Sequence, residues 1–264
     1  PPSAEGIWMP LGNYFFLGGQ TYLVLLTTDG IPSGKYVVAD GIRLGGGQGT
    51  ADFGGGVSGV DRWRESARSF IQSTGAPSWT YGGDVTARPL YALLMGVDAY
   101  FSLHTNAFRG VSRGTSIYVW DDDYCPGCGQ DPVPSLLPPG TIEWADAIHQ
   151  QVLRTFDREW DSPWPDRKLQ ASNFGELRPI RSAWVADDTL AIPAALIELA
   201  FHDNCDHDAV YIRERSFRRH AARAITKGMI DFYYGENPTY FYPPMPPTHV
   251  AAVGQADQVT LSWQ

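Results

Sequence analysis

Several things are scarce in this sequence, and each shortage excludes something. Its 264 residues carry three cysteines. Cys125-Pro126-Gly127-Cys128 has the spacing of half a zinc knuckle, but no second cysteine pair completes it. It reads as a local disulfide suited to an oxidising compartment or as free thiols, with a Cys₃His site finished by Cys205 and His207 as the remaining option. Lysine is rarer than in most chains and the net charge is −9. No basic stripe exists to neutralise phosphates, which argues against a nucleic-acid partner. No apolar run is long enough for a transmembrane helix. Glycine-rich stretches occur at 45–47 and 54–56, yet no Gly-x-Gly-x-x-Gly leads from strand to helix, and no P-loop lysine follows. A Gly-x-Ser-x-Gly nucleophile elbow is also missing.

What is present is apolar and aromatic. Hydrophobic residues make up 43% and aromatic residues 13%, with nine tryptophans. That composition is globular, and rich Trp, Tyr and Gly with little Lys fits an exported or carbohydrate-facing protein. The densest cationic stretch, Arg213 to Arg223, runs along a helix whose other face is apolar, so it reads as a solvated helix face. The length allows one large core, or one core and a smaller module.

The period of the pattern changes along the chain. Residues 1–44 read as short strands (Gly6 to Met9, Tyr14 to Phe16, Tyr22 to Leu26, Tyr36 to Leu44) separated by Gly, Pro and Asp turns. They are too few to close a sandwich, so a partial β module is expected, with 45–60 a glycine-rich junction. From 61 to 240 helices and strands alternate. Asp61 is placed to cap a helix carrying Trp63, Ala67, Phe70 and Ile71 on one face, ending near Gly75. A second helix around Ala87 to Met95 passes through Gly96 into a strand at 100–106. Gly114 to Trp120 is a further strand. Apolar spacing marks a helix from Thr141 through Phe156 and a last one from Phe217 to Phe232. The expected fold class is therefore α/β, a mostly parallel sheet flanked by helices, with a small partial β module ahead of it. Residues 241–264 read as a stiff proline-rich linker followed by two strands, near Val250 to Val253 and Gln258 to Trp263. Both ends read as cut from a longer, multidomain chain.

Two segments carry chemistry. In Tyr100 to Ala107 an apolar strand delivers His104 to its end, with Asn106 beside it. A neutral imidazole there is a natural metal ligand; the alternative is a core histidine satisfied by a carbonyl. In Ile192 to Asn204 a strand of small and branched residues presents one carboxylate, Glu198. A glutamate in such a run is costly to bury without a partner or a chemical role. Arg178 or Arg88 would serve as the structural partner. Zinc at a hydrolytic site takes three protein ligands and a water, and a carboxylate near that water acts as base and then acid. His202 to Asp208 is rich in His, Asp and Asn, which are also common where side chains bond their own turn. His149, His220 and His249 read as surface residues.

The motifs resemble those of the zinc-dependent N-acetylmuramoyl-L-alanine amidases of type 3. Ser-hydrophobic-His-x-Asn-Ala corresponds to Ser102 to Ala107, with Gly-Thr-x-x-Tyr at Gly114 to Tyr118. Pro-Ala-hydrophobic-hydrophobic-Glu-x-x-Phe corresponds to Pro193 to Phe201, followed by Asn204. Arg88, Ala92 and the last helix also fit, so the resemblance covers roughly residues 84–233. It implies a Zn²⁺ ligand at His104 and the catalytic carboxylate at Glu198, with Asn106 and Arg178 orienting substrate. The substrate implied is peptidoglycan or a muropeptide, and the place an extracellular or periplasmic one in a bacterial envelope. The family's other zinc ligands come from a Gly-His-Gly turn and a following helical Glu. Neither segment is in this sequence, Glu65 does not match, and both are expected upstream of Pro1. Residues 5–44 resemble the end of a golvesin-type β module, and Val259 to Trp263 resembles the opening of a fibronectin type III domain. A catalytically inactive wall- or carbohydrate-binding protein, with Trp and Tyr as sugar platforms, is the alternative function. A structural surface protein is the other.

Overall fold

The structure is a computed structural model that describes residues 14, 16–25, 27–35, 42, 50, 52, 55–122, 131–235, 242, 251–255 and 258–262. The chain divides into two compact units, 1–96 and 97–264.

In the first unit, three helices follow one another: α1 (Arg62–Glu65), α2 (Ala67–Ser73) and α3 (Asp84–Met95). The single helix expected from Asp61 is broken at Ser66. That residue is extended, its hydroxyl accepts from Ser69 N, and the Ser69 hydroxyl accepts from Ser66 N. This capping box satisfies backbone donors that a continuous helix would leave to the preceding turn, so the chain restarts there. Asp61 makes no side-chain cap; its backbone bridges to Thr50 instead. Ile71, Ala76 and Ala87 form a small core with Phe70, Tyr81, Tyr91 and Leu94 against it. The strands expected at Tyr14 to Phe16 and Tyr22 to Leu26 do not form among the described residues. Leu23 and Leu25 are largely exposed, and an extended segment without a ladder partner or a buried face gains little from being a strand. The strands expected at Gly6 to Met9 and Tyr36 to Leu44 lie almost wholly outside the described residues.

The second unit holds a four-stranded sheet made of β1 (Tyr100–Asn106), β2 (Thr115–Trp120), β3 (Asp166–Ser172) and β4 (Ala194–Phe201), in the order β1-β4-β2-β3. β1 runs parallel to β4, and β2 parallel to β3, while β2 and β4 are antiparallel. The sheet is therefore mixed, with two of its three pairings parallel. α4 (Thr141–Glu159) follows β2, α5 (Arg178–Ala186) follows β3, and α6 (Asp208–Arg213) and α7 (Arg215–Tyr234) follow β4.

Alternation along the strands splits their side chains between two faces. One face presents Ile117, Val119, Ala171, Ala195, Ile197 and Leu199 to a core shared with Trp144, Ile148, Val152 and Phe156 of α4 and Phe217, Ala221, Ala224 and Ile225 of α7. Phe156 stacks on Phe217 at 4.4 Å between ring centroids. Gly228 lets α4 and α7 meet backbone to backbone, since a Cβ there would lie 2.3 Å from the Ile148 Cα. His149, expected on the surface, is buried within this packing on α4, 3.5 Å from Asp166. Burial pushes its pKa down, partly opposed by the Asp166 charge. His220, also expected on the surface, is half-buried and accepts a hydrogen bond from Trp160. His249 lies outside the described residues. At the end of the chain β5 (Ala251–Gln255) and β6 (Gln258–Ser262) pair as an antiparallel hairpin, where two strands were expected.

Candidate active site

The other face of the sheet carries the chemistry. Register pairs His104 of β1 with Glu198 of β4, and Glu198 with Ser116 of β2. Adjacent strands lie about 4.8 Å apart, so directly paired residues project side by side on one face. The strands thus bring His104 and Glu198 together although 94 positions separate their numbers. β4 is central and buried on both sides, which is why its one charged residue is held away from bulk water.

Among the described residues Glu198 has no counter-ion. Its Oε2 is buried and accepts no hydrogen bond, and the Ser116 hydroxyl beside it is likewise buried and unpartnered. Burial, and after it the negative charge of Glu176, push the Glu198 carboxyl up to about 7. A carboxyl near that value exchanges its proton readily at neutral pH, as a general base and acid must. The two arginines considered as its partner are engaged with other groups. Arg178 is exposed and donates from Nε to Asn173 Oδ1 at 2.7 Å, and Arg88 pairs with Asp84 at 3.2 Å.

His104 is partly exposed, and among the described residues no backbone carbonyl hydrogen-bonds its ring. Its Nε2 lies 3.0 Å from the Ser102 hydroxyl and 3.3 Å from Glu176 Oε1. Glu176 sits in the turn between β3 and α5 and is 7% exposed. It escaped sequence reasoning because the turn Asn173-Phe174-Gly175-Glu176 has neither strand nor helix periodicity. Only the packing that buries Leu177, and sets Phe174 edge-on against Tyr118 at 5.1 Å, carries the carboxylate inward. Asn106 uses its Oδ1 to accept the Ala107 N–H at 2.8 Å.

The remaining candidates are engaged elsewhere. Asp203 accepts from Gly110 N, and Asn204 accepts from His207 N and donates to Ser112 O. These are loop-bracing bonds. His202 Nδ1 is 3.0 Å from the Thr105 hydroxyl. Glu65 hydrogen-bonds Ser58. Cys205 is exposed and unbridged, and Cys125 and Cys128 lie outside the described residues. Among the described residues no three His, Cys, Asp or Glu side chains gather to hold a metal ion. No described helix is long and apolar enough to cross a membrane.

A histidine and an elevated carboxyl thus lie side by side on one face of a helix-flanked α/β sheet. The sequence profile of the N-acetylmuramoyl-L-alanine amidases matches residues 69–231, more than half of the chain, and the chain belongs to that family. The matched stretch contains both His104 and Glu198. Its function is accordingly hydrolysis of the peptidoglycan amide that joins N-acetylmuramic acid to L-alanine. Solved structures similar to it include the catalytic domain of the amidase CwlV from Bacillus (Paenibacillus) polymyxa var. colistinus. That likeness has 18% identity over 58% of this chain and 70% of the other, with a TM-score of 0.41. An amidase from Clostridium difficile 630 is 17% identical over 58% and 67%, at 0.42. Ami1 from Mycobacterium smegmatis is 16% identical over 63% and 71%, at 0.41. No curated protein matches the sequence at a significant level.

Proposed function

We propose that this chain cleaves the muramoyl–L-alanine amide with a zinc-activated water and Glu198 as the proton carrier. The observation that carries the reading is the buried, unpartnered Glu198 Oε2, in register with His104 and elevated to about 7. The donor set suits zinc, which takes imidazole nitrogen and carboxylate oxygen. His104 is the ligand that this reading assigns, through the lone pair of a ring nitrogen. When bound, zinc supplies a Lewis acid that acidifies water and polarises the amide carbonyl.

The residues do the rest. Glu198 Oε2 takes a proton from the attacking water and returns it to the departing L-alanine amine. The apolar strand around it keeps the carboxyl from being levelled by bulk solvent. Asn106 and Arg178, both near the ends of their elements and accessible, are assigned to orienting the glycan or peptide. An extracellular or periplasmic location in a bacterial envelope follows from the substrate. The β5–β6 hairpin fits the opening of a fibronectin type III module, and the sequence of residues 5–44 resembles the end of a golvesin-type one.

The test uses the full protein and purified peptidoglycan, with release of new amino groups as the readout. Glu198→Gln is expected to lower kcat by about 10²–10⁴-fold while leaving the fold unchanged by circular dichroism. Unchanged turnover removes Glu198 from the mechanism, and binding of the wall by the wild type without any release favours a non-catalytic binding protein.

A further inference from the structure

The cationic stretch of the last helix does not behave as a single solvated face. Arg213, Arg215, Arg218 and Arg219 are exposed, as an outward helix face requires, but Arg223 and Lys227 are half-buried. With His220 they recur at helical spacing along one side of α7. That side meets α4, whose Thr155, Arg158 and Glu159 complete the walls of a cleft of about 260 Å³. Among the described residues its lining holds three cations, Arg158, Arg223 and Lys227, against one carboxylate, Glu159. Arg158 Nε donates to that carboxylate at 2.6 Å. A formal surplus of two positive charges therefore gathers in a chain whose net charge is −9.

These cations repel one another. Burial pushes the pKa of the Lys227 ammonium down, the charges of Arg223 and Arg158 push it the same way, and Asp231 opposes them. Asp231 is itself shared, accepting from Gln151 Nε2 at 2.6 Å and from the Tyr242 hydroxyl at 2.5 Å. An anion between the cations offsets the cost of holding them together. His220 adds a directed donor. Its Nδ1 accepts from Trp160 Nε1 at 3.1 Å, an indole nitrogen that only donates, so the ring proton sits on Nε2.

We propose that the α4–α7 cleft is a binding site for a phosphoryl group, either free phosphate or a phosphate of an anionic polymer. A carboxylate would neutralise half of the surplus charge. A phosphoryl group carries up to two negative charges and several acceptor oxygens, which guanidiniums meet through paired N–H···O bonds. The volume falls below the roughly 300–1,000 Å³ of pockets that enclose a whole drug-sized ligand. It therefore suits the charged group alone and not an entire nucleotide. α4 and α7 pack on the sheet face opposite His104 and Glu198, so the site binds without taking part in hydrolysis. It stands or falls independently of the metal-assisted mechanism.

The test follows the Trp160 indole N–H resonance of the full chain, which reports on His220, at constant ionic strength. Inorganic phosphate is expected to shift it saturably, whereas acetate is not. Arg223→Gln and Lys227→Gln each remove one charged donor and are expected to weaken phosphate binding about tenfold or more. Arg219→Gln makes the same change of net charge on the exposed side of α7 and is expected to stay within about twofold of wild type. Equal shifts with acetate and phosphate overturn the proposal, as does a wild type that phosphate leaves unmoved. So does a loss at Arg219→Gln as large as that at Arg223→Gln, which would assign the effect to surface charge at large. The comparison of phosphate with acetate needs the wild type alone, so it decides even where a variant misfolds. A glycerol phosphate polymer separates the sources: tighter binding per phosphate than the inorganic ion assigns the cleft to a polymer, and equal or weaker binding assigns it to free phosphate.

Discussion

Two buried carboxylates on and beside β4 show what a structural and a chemical acid look like in one fold. Asp208, at the start of α6, is fully buried and fully satisfied. Its Oδ1 accepts from Arg113 at 3.1 Å, and its Oδ2 accepts from Gly114 N at 2.9 Å and Phe201 N at 3.1 Å. It ties the loop before β2 to the end of β4. Glu198, three residues upstream of Phe201, has a buried oxygen with no donor among the described residues. The fold compensates the first group and leaves the second exposed to its own desolvation. A charge that is compensated in the folded state stabilises a junction, whereas one that is not retains a reactive proton equilibrium.

That contrast is open to direct tests. The largest effect on stability belongs to Asp208→Ala, which leaves Arg113 with Asp161 as its remaining carboxylate and strands two backbone N–H groups. It is expected to cost about 3–5 kcal/mol in urea unfolding. A loss below about 1 kcal/mol would mean that the Asp208 junction is not the structural partner in this pair.

Glu198 should behave in the opposite sense. Its folded-state pKa of about 7 lies above the ordinary 4.5, so the folded chain holds a proton that the unfolded chain gives up between those values. The stability tied to the protonated form is complete below pH 4.5 and is lost as pH rises through 7. In chelator, Glu198→Gln should therefore be more stable than wild type at pH 8 and equal to it near pH 4.5. The full shift corresponds to at most about 3 kcal/mol, and partial solvent access should reduce this to about 1–2. A wild type with a flat profile between pH 5 and 8 would break the comparison.

The smallest effect concerns neighbours on β2. Thr115 donates to Leu199 O at 2.7 Å and accepts from Trp164 Nε1 at 2.9 Å, while the adjacent Ser116 hydroxyl has no partner. Ser116→Ala is expected to change stability by less than about 0.5 kcal/mol, whereas Thr115→Val should cost about 1–3. A large loss at Ser116 would show that this face is satisfied in a way the geometry does not reveal.

Much of this was legible in advance. The strands bearing His104 and Glu198, α3, α4 and α7 all announce themselves by apolar period. β3 does not, because Asp166-Arg167-Lys168 opens it with charge and only its far end is buried. α5 is short and starts beside Pro179, so propensity and period speak weakly. The strands expected at Tyr14 to Phe16 and Tyr22 to Leu26 failed for the opposite reason, since apolar residues are present but nothing among the described residues pairs with them.

By itself, the sequence determined that one imidazole and one carboxylate end or interrupt apolar strands, because burying either type without a role is costly. Its motifs also carried the family. Only the tertiary structure decided that the two strands are in direct register, that no arginine among the described residues of its own unit pairs with Glu198, and that Glu176 arrives from a featureless turn to face His104. Those facts depend on strand order and loop packing, which join residues far apart in the chain and leave no local period to read.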